Sequence, residues 1–463
     1  MFLWLTMLAW ASAEPPLRLR NARLWDGTGA PARTDQWIEI VNDRITAIGD
    51  EPAAPGGHRD LDVGGRTVIP GLIDAHVHVE AVPGASIRGD SEAAIEAAQQ
   101  RGLRAYVACG VTTVLDAGIS WPALGRVRGW LANGAVGPRV LTLGPVLGPE
   151  NGYVEAFLPG HVGTNELDEV TAHLNRLVEA GALGVKLTIE PGYVLPVLPM
   201  HTPELRTQIA EAATARGLPV LIHAQHHDAH EAALDLSPLA VLHMVRDQVA
   251  TPDLVARYVT QQTWLVTTLS IDAAPLRAHE PEPWSSPLEQ LVIPPDQRET
   301  ATSRTGWRAW KQGMGAAALP GMAPWLRRLG LSVTPIRRLA RRGTARSTEN
   351  ARRMHAAGVK LVVGSDAGAY DAIPFYFHGL STLQEIALLV RAGLTPEDAL
   401  LAATSRAAAM LGLEGEVGVV VPGASADLVV LDADPLVDVS ALHQVRWIVR
   451  AGELRTPEDW MNR

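Results

Sequence analysis

A chain of 463 residues, 47% hydrophobic and 19% charged, has the composition of a folded protein and the length for a large barrel plus a smaller domain. Its net charge of −10 argues against a general nucleic-acid binder. One cysteine, Cys109, excludes an intrachain disulfide and any cysteine-based metal site.

The chain opens on an apolar run, Met1 to Ala13, that closes on Ala11-Ser12-Ala13 ahead of Glu14-Pro15-Pro16. This order fits a signal peptide over residues 1–13, with no basic residue before it. The expectation is a periplasmic or secreted protein, with a cytoplasmic one as the alternative. The run is too short to span a bilayer as a helix, so no stable transmembrane span is expected in the mature form. Residues 14–68 then read as short strands and turns: Leu17 to Arg20 alternates, Trp37 to Val41 and Ile45 to Ile48 are strand-like, and Asp26-Gly27 and Asn42-Asp43 mark turns. Val68-Ile69-Pro70 feeds an apolar stretch that ends in His76-Val77-His78.

From there strand and helix alternate. Ser91 to Ala108 is helical in composition, Gly110 stops it, and Val111 to Asp116 is the next strand. Pro138 to Leu143 follows, then a glycine- and proline-rich loop from Gly144 to Gly163. Further strands end at Thr188, His223, His243, Thr268 and Asp366, largely separated by helical segments. Eight such strands predict an α/β fold, a (β/α)8 TIM-like barrel over residues 69–414. Residues 271–345 interrupt the rhythm and form a long insertion, read as a solvated excursion, as a lid over the barrel mouth or as a membrane-surface attachment. After the Thr395-Pro396 helix start, β character returns from about 415, so residues 14–68 and 415–463 are expected to build one small composite β-sandwich domain.

The i, i+2 spacing of His76 and His78 on a strand sends both imidazoles to one face, where they can converge on one ion. Lys186, His223, His243 and Asp366 each stand at the end of a later strand. One pair followed by single residues from several strand ends is what an active site at the C-terminal mouth of a barrel requires. The chemistry indicated is that of a metallohydrolase. Asp116 also ends a strand and is read as structural, and His226, His227 and His230 as surface histidines or as contacts to substrate or lid. Tyr153, His161, His226, Arg246 and Tyr370 are candidate substrate contacts. Ser365 lacks a nucleophile elbow, and Gly144 to Gly152 lacks the Lys-Ser/Thr pair of a phosphate loop.

Taken in order, GLIDAHVH (71–78), GVTTVLDAG (110–118), GPRV (137–140), VKL (185–187), IHA (222–224), GSDAG (364–368), AGLTPEDALLAAT (392–404) and PGASADLVVLDADP (422–435) make the chain resemble the amidohydrolase superfamily, in particular its imidazolonepropionase-like and Xaa-Pro-dipeptidase-like branch. The resemblance implies two divalent ions, zinc first among the candidates, held by His76, His78, carbamylated Lys186, His223, His243 and Asp366, with Asp366 as the catalytic proton shuttle. It also implies hydrolysis of a C–N bond in an amide or peptide, a dipeptide or N-acyl amino acid before others, by metal-activated water. A cyclic-amide hydrolase, a lactonase or phosphotriesterase, and a catalytically silent binding protein are the alternatives. The partner is a small-molecule or short-peptide substrate, with a homo-oligomer left open. Two departures from the branch pattern stand at Gln225, where a second histidine is usual, and at Leu242, where an acidic residue is common.

Overall fold

The computed structural model describes residues 15–53, 56–83, 91–158, 160–192, 198–278, 280, 283–304, 308, 336–368 and 375–463. The leader, Tyr370 and the middle of the 271–345 insertion, residues 305–307 and 309–335 with Trp307 and Trp325 among them, lie outside the described residues.

Eight strands of the two chain ends form one sheet. Leu17–Leu24 pairs antiparallel with Arg33–Val41 and parallel with both Arg59–Asp62 and Thr67–Pro70. Thr67–Pro70 in turn pairs antiparallel with Leu428–Leu431, which joins the C-terminal strands to the N-terminal ones. The sheet curls until Arg44 bridges Ser425. Its concave side buries Leu19, Ile38, Ile40, Leu428, Val430 and Val449 in a core of their own. The alternating pattern of the first strand is the cause, since a period of two puts every second side chain on one face. The strand 67–70 belongs to this sheet, so the chain passes into the barrel at Gly71.

The barrel strands are Leu72–Val77, Val111–Asp116, Arg139–Thr142, Val185–Thr188, Val220–His223, Ala240–Leu242, Trp264–Val266 and Leu361–Val362. Their parallel pairing runs in two arcs, first to third and fourth to eighth. The arcs meet through Leu183 N donating to Thr142 O at 2.8 Å and Ala75 N donating to Val363 O at 2.9 Å. The result is a distorted TIM-like barrel. Ile73, Ala75, Leu115, Leu221, Leu242, Val266 and Val362 fill its interior, while Val185, Leu187, Ile222, Val241, Leu265 and Val363 face the surrounding helices. The helix starts follow the sequence signals: Ser91, Ser120, Thr202, Thr251 and Thr395 each cap with the side-chain oxygen. The 144–163 segment, read as a loop, carries two short parallel strands, Leu147–Gly148 and Val162–Gly163, around the short helix Tyr153–Phe157. Among the described residues no helix is long and apolar enough to cross a membrane.

Candidate metal centre

Alternation alone does not bring the candidate ligands together. Ile73 and Ala75 point into the barrel, and strict alternation would send His76 outward. The pairing of the first two strands shifts register between Asp74 and Val77, and the bulge turns His76 and His78 inward while Val77 joins the outer core. Asp74 holds the bulge: its carboxylate accepts from His76 N at 3.2 Å, Ser365 N at 3.0 Å and Thr382 Oγ1 at 2.6 Å. His243 faces the same difficulty, because Ala240 and Leu242 already point inward. A left-handed backbone, φ 80°, redirects it, and Asp366 is likewise left-handed at φ 53°. Such conformations are costly for residues other than glycine and concentrate at functional sites. The glycines of GSDAG let the eighth strand lie against the first. A Cβ on Gly364 would sit 2.7 Å from His76 Cβ, and one on Gly368 2.2 Å from His78 O.

The ligand atoms then converge. Asp366 Oδ1 lies 3.3 Å from His76 Nε2 and 3.1 Å from His78 Nε2. Lys186 Nζ donates to His76 Nε2 at 3.1 Å. His223 Nδ1 and His243 Nε2 are 2.8 Å apart, and the His76 and His243 ring centroids are 4.7 Å apart. Lys186 and the four histidines are buried; the Asp366 side chain keeps 23% of its exposure, so the site opens on this side.

The far nitrogens of two of these rings are hydrogen-bonded and that of a third faces a carboxylate. His78 Nδ1 donates to Gly118 O at 3.0 Å, His243 Nδ1 meets Thr268 Oγ1 at 2.9 Å, and His223 Nε2 faces the Glu190 carboxylate at 3.4 Å. This leaves Nε2 of His78, Nδ1 of His223 and Nε2 of His243 for the centre, the arrangement that orients metal-binding imidazoles. Burial pushes His76 down to about 3 and His223 and His243 below their ordinary value, so the rings stay neutral and can ligate. Burial also lowers Lys186 to about 8, which leaves part of it as neutral amine near neutrality, the form that takes up carbon dioxide. Burial would raise Asp366, but the adjacent His76 and His78 outweigh it and hold the carboxyl well below its usual range.

Two groups among the described residues have ligand atoms close enough to share an ion: His76, His78 and Asp366, and separately His227, Asp228 and Glu231. The second occupies the first turn of the helix His227–Leu234, with the Asp228 side chain 93% exposed.

Of the candidate substrate contacts, Tyr153 stacks at a 4.7 Å centroid distance on His223. His161 flanks Gly118 together with His78, accepts from Val146 N through Nδ1 at 2.8 Å, and leaves Nε2 without a partner among the described residues. His226 Nε2 stands 3.8 Å from Glu190 Oε1. Arg246 donates to Gln225 Oε1 at 2.7 Å and pairs with Asp272 on the first helix of the insertion, Ser270–Arg277. The space among Gln225, His243, Arg246, Thr268 and Asp272 is about 10 Å³, room for no more than a single water. The two departures are thereby explained: Leu242 fills the barrel interior, and Gln225 holds Arg246. Asp116 has the expected structural role, accepting from Val79 N and Gly118 N, both at 2.9 Å. The expectation of surface histidines is corrected for His227 and His230, which are buried. The helix turns them against the next one, where His230 Nδ1 meets Tyr258 OH at 2.7 Å and His227 Nε2 meets Thr251 Oγ1 at 3.1 Å.

Sequence reasoning missed Glu190 and Glu385, since each acts through distant partners. Glu385, buried on the helix Leu380–Arg391, accepts from Thr267 Oγ1, Leu269 N and Ser270 N at 2.6–2.8 Å and so fixes the turn that carries Thr268 beneath His243. Burial outweighs these donors and pushes its carboxyl from 4.5 up to about 7. A carboxyl raised in the folded state adds stability that is complete below the unfolded value and lost as pH rises through the folded one, here on the order of 3 kcal/mol. Urea unfolding of the wild type should therefore lose stability relative to Glu385→Gln between about pH 5 and pH 7. A pH-independent difference between the two proteins would contradict this.

The amidohydrolase family model matches residues 67–452. The chain is 29% identical to an N-acyl-D-glutamate deacylase of Alcaligenes xylosoxydans xylosoxydans over 453 aligned positions, covering 89% of this chain and 86% of that relative. It is 32% identical to an imidazolonepropionase of Arthrobacter sp. (strain FB24), over 32% of this chain and 36% of that one. The solved structure of a Xaa-Pro dipeptidase with bound methionine superposes with a TM-score of 0.72 at 21% identity, covering 95% of this chain and all of that one. Barrel, composite sheet, ligand-bearing strand ends and family match agree: the chain belongs to the amidohydrolase family, as a metal-dependent hydrolase acting on an amide- or peptide-type bond.

Proposed function

We propose that the protein hydrolyses the C–N bond of an N-acyl amino acid or a dipeptide, using two divalent ions, zinc before others, and a carbamylated Lys186. The observation that carries this is the meeting of His76, His78, Lys186, His223, His243 and Asp366 at four barrel strands and the turn after a fifth. His76, His78 and Asp366 would hold one ion, and His223 and His243 the other. Lys186, in contact with His76 of the first set, would as a carbamate offer an oxygen to each ion and remove a positive charge. When bound, such ions lower the pKa of an attacking water and polarise the scissile carbonyl. Asp366, ionised near neutrality, takes a proton at its carboxylate and returns it to the leaving nitrogen. Tyr153 and His161 stand where they can touch the acyl portion, and His226 stands at the rim.

The relative named N-acyl-D-glutamate deacylase supports an N-acyl amino acid, and the dipeptidase-like architecture a dipeptide. The partial match to imidazolonepropionase supports a cyclic amide as the second reading. An assay of protein loaded with zinc in bicarbonate, against N-acyl amino acids of both configurations, dipeptides and cyclic amides, separates these readings. Turnover confined to cyclic amides or to esters would reject the first. Export is proposed from the leader: the protein from its host should begin at Glu14, and an intact Met1 on cytoplasmic protein would reject it.

A further inference from the structure

We infer that Glu190 is a positioning residue for His223, fixing that imidazole so that Nδ1 and not Nε2 faces the second ion; the inference rests on the two-ion reading above. Glu190 lies two residues beyond the fourth barrel strand, Val185–Thr188, and is 1% exposed. Its Oε1 accepts from Gly192 N at 2.9 Å and stands 3.8 Å from His226 Nε2. Its Oε2 faces His223 Nε2 at 3.4 Å, and neither of these two buried atoms has a closer partner among the described residues. No lysine or arginine among the described residues forms an ion pair with it.

A buried carboxylate without a cationic side chain is unfavourable unless positive charge is supplied nearby. Among the described residues the imidazoles of His223 and His226 are the groups beside it, and His223 is the one that can pass on the charge of an ion. With Nε2–H pointing to Glu190, the lone pair of Nδ1 is directed at His243 Nε2, 2.8 Å away, and an ion seated between them would complete the compensation. Tyr153, stacked on the same ring, restricts its rotation. An anionic acceptor behind an imidazole also raises its basicity, so Glu190 should strengthen the hold on the second ion without touching substrate.

The test titrates chelator-stripped protein with Co2+ in bicarbonate, following calorimetry and the visible spectrum. The wild type should take up two ions. Glu190→Gln should bind the first with unchanged affinity and the second about 10–100-fold more weakly, and saturating Co2+ should restore kcat with KM unaltered. The tautomer is read independently by 15N NMR of histidine-labelled wild-type apoprotein, where His223 should carry its proton on Nε2. Two unaltered affinities in Glu190→Gln, or a proton on Nδ1 in the wild type, would overturn the inference while leaving the two-ion reading intact. A wild type that saturates with a single ion would overturn both. Should Glu190→Gln fail to fold, the NMR result on the wild type decides alone.

Discussion

Replacing Asp366 with asparagine should lower kcat by roughly 10²–10⁴-fold, the range for a lost general base. Asparagine keeps the size and one carbonyl oxygen, so the contact near His76 and His78, 3.1–3.3 Å in the native protein, can still be made. It cannot accept the proton. The left-handed backbone at this position, φ 53°, is one that asparagine adopts readily, so the fold should not suffer. Metal content measured on the same preparation separates loss of the base from loss of the site. A variant with near-normal kcat and unchanged occupancy would move the proton transfer to another residue, with His226 and His161 the next to replace.

Lys186→Ala carries an equally large expected effect for a different reason. Lys186 donates to His76 Nε2 at 3.1 Å from a buried strand, and in the proposed centre it is the group that would bridge the two ions. Its removal would delete the proposed bridge and leave a cavity on the fourth strand. The second ion should be lost or bound far more weakly, and activity should fall by at least about 10²-fold, as expected when several kcal/mol of transition-state charge stabilisation disappear. A small carboxylate such as acetate, added at high concentration, should restore part of both, since it can enter the vacated space and offer two oxygens. Full activity and full metal content in Lys186→Ala would remove the bridging role.

Much of this centre was legible because it is written locally. The apolar runs ending in His76, Lys186, His223, His243 and Asp366 are short strands with their ligands at the C-terminal side, and parallel pairing of neighbours places those ends together. The composite sheet was visible as β-rich sequence at both ends, although the assignment of 67–70 to that sheet depends on its pairing with Leu428–Leu431, more than three hundred residues away. What could not be read is what departs from local periodicity. The register shift after Asp74 and the left-handed turn at His243 are set by partners on other strands. Glu190, an ordinary glutamate before Pro191, becomes notable only once the fifth strand brings His223 to it. The burial of His227 and His230 follows from the helix Pro252–Gln261 packing over them, which no pattern in the residues around 227 reports.

Amide hydrolysis as a function of metal content decides whether the protein is a metal-dependent amidohydrolase. Protein stripped with a chelator should lose its turnover of N-acyl amino acids and dipeptides. Stepwise return of zinc in bicarbonate should restore it, saturating at two ions per chain. Undiminished turnover by the metal-free protein, or no amide cleavage at any metal loading, would contradict the account.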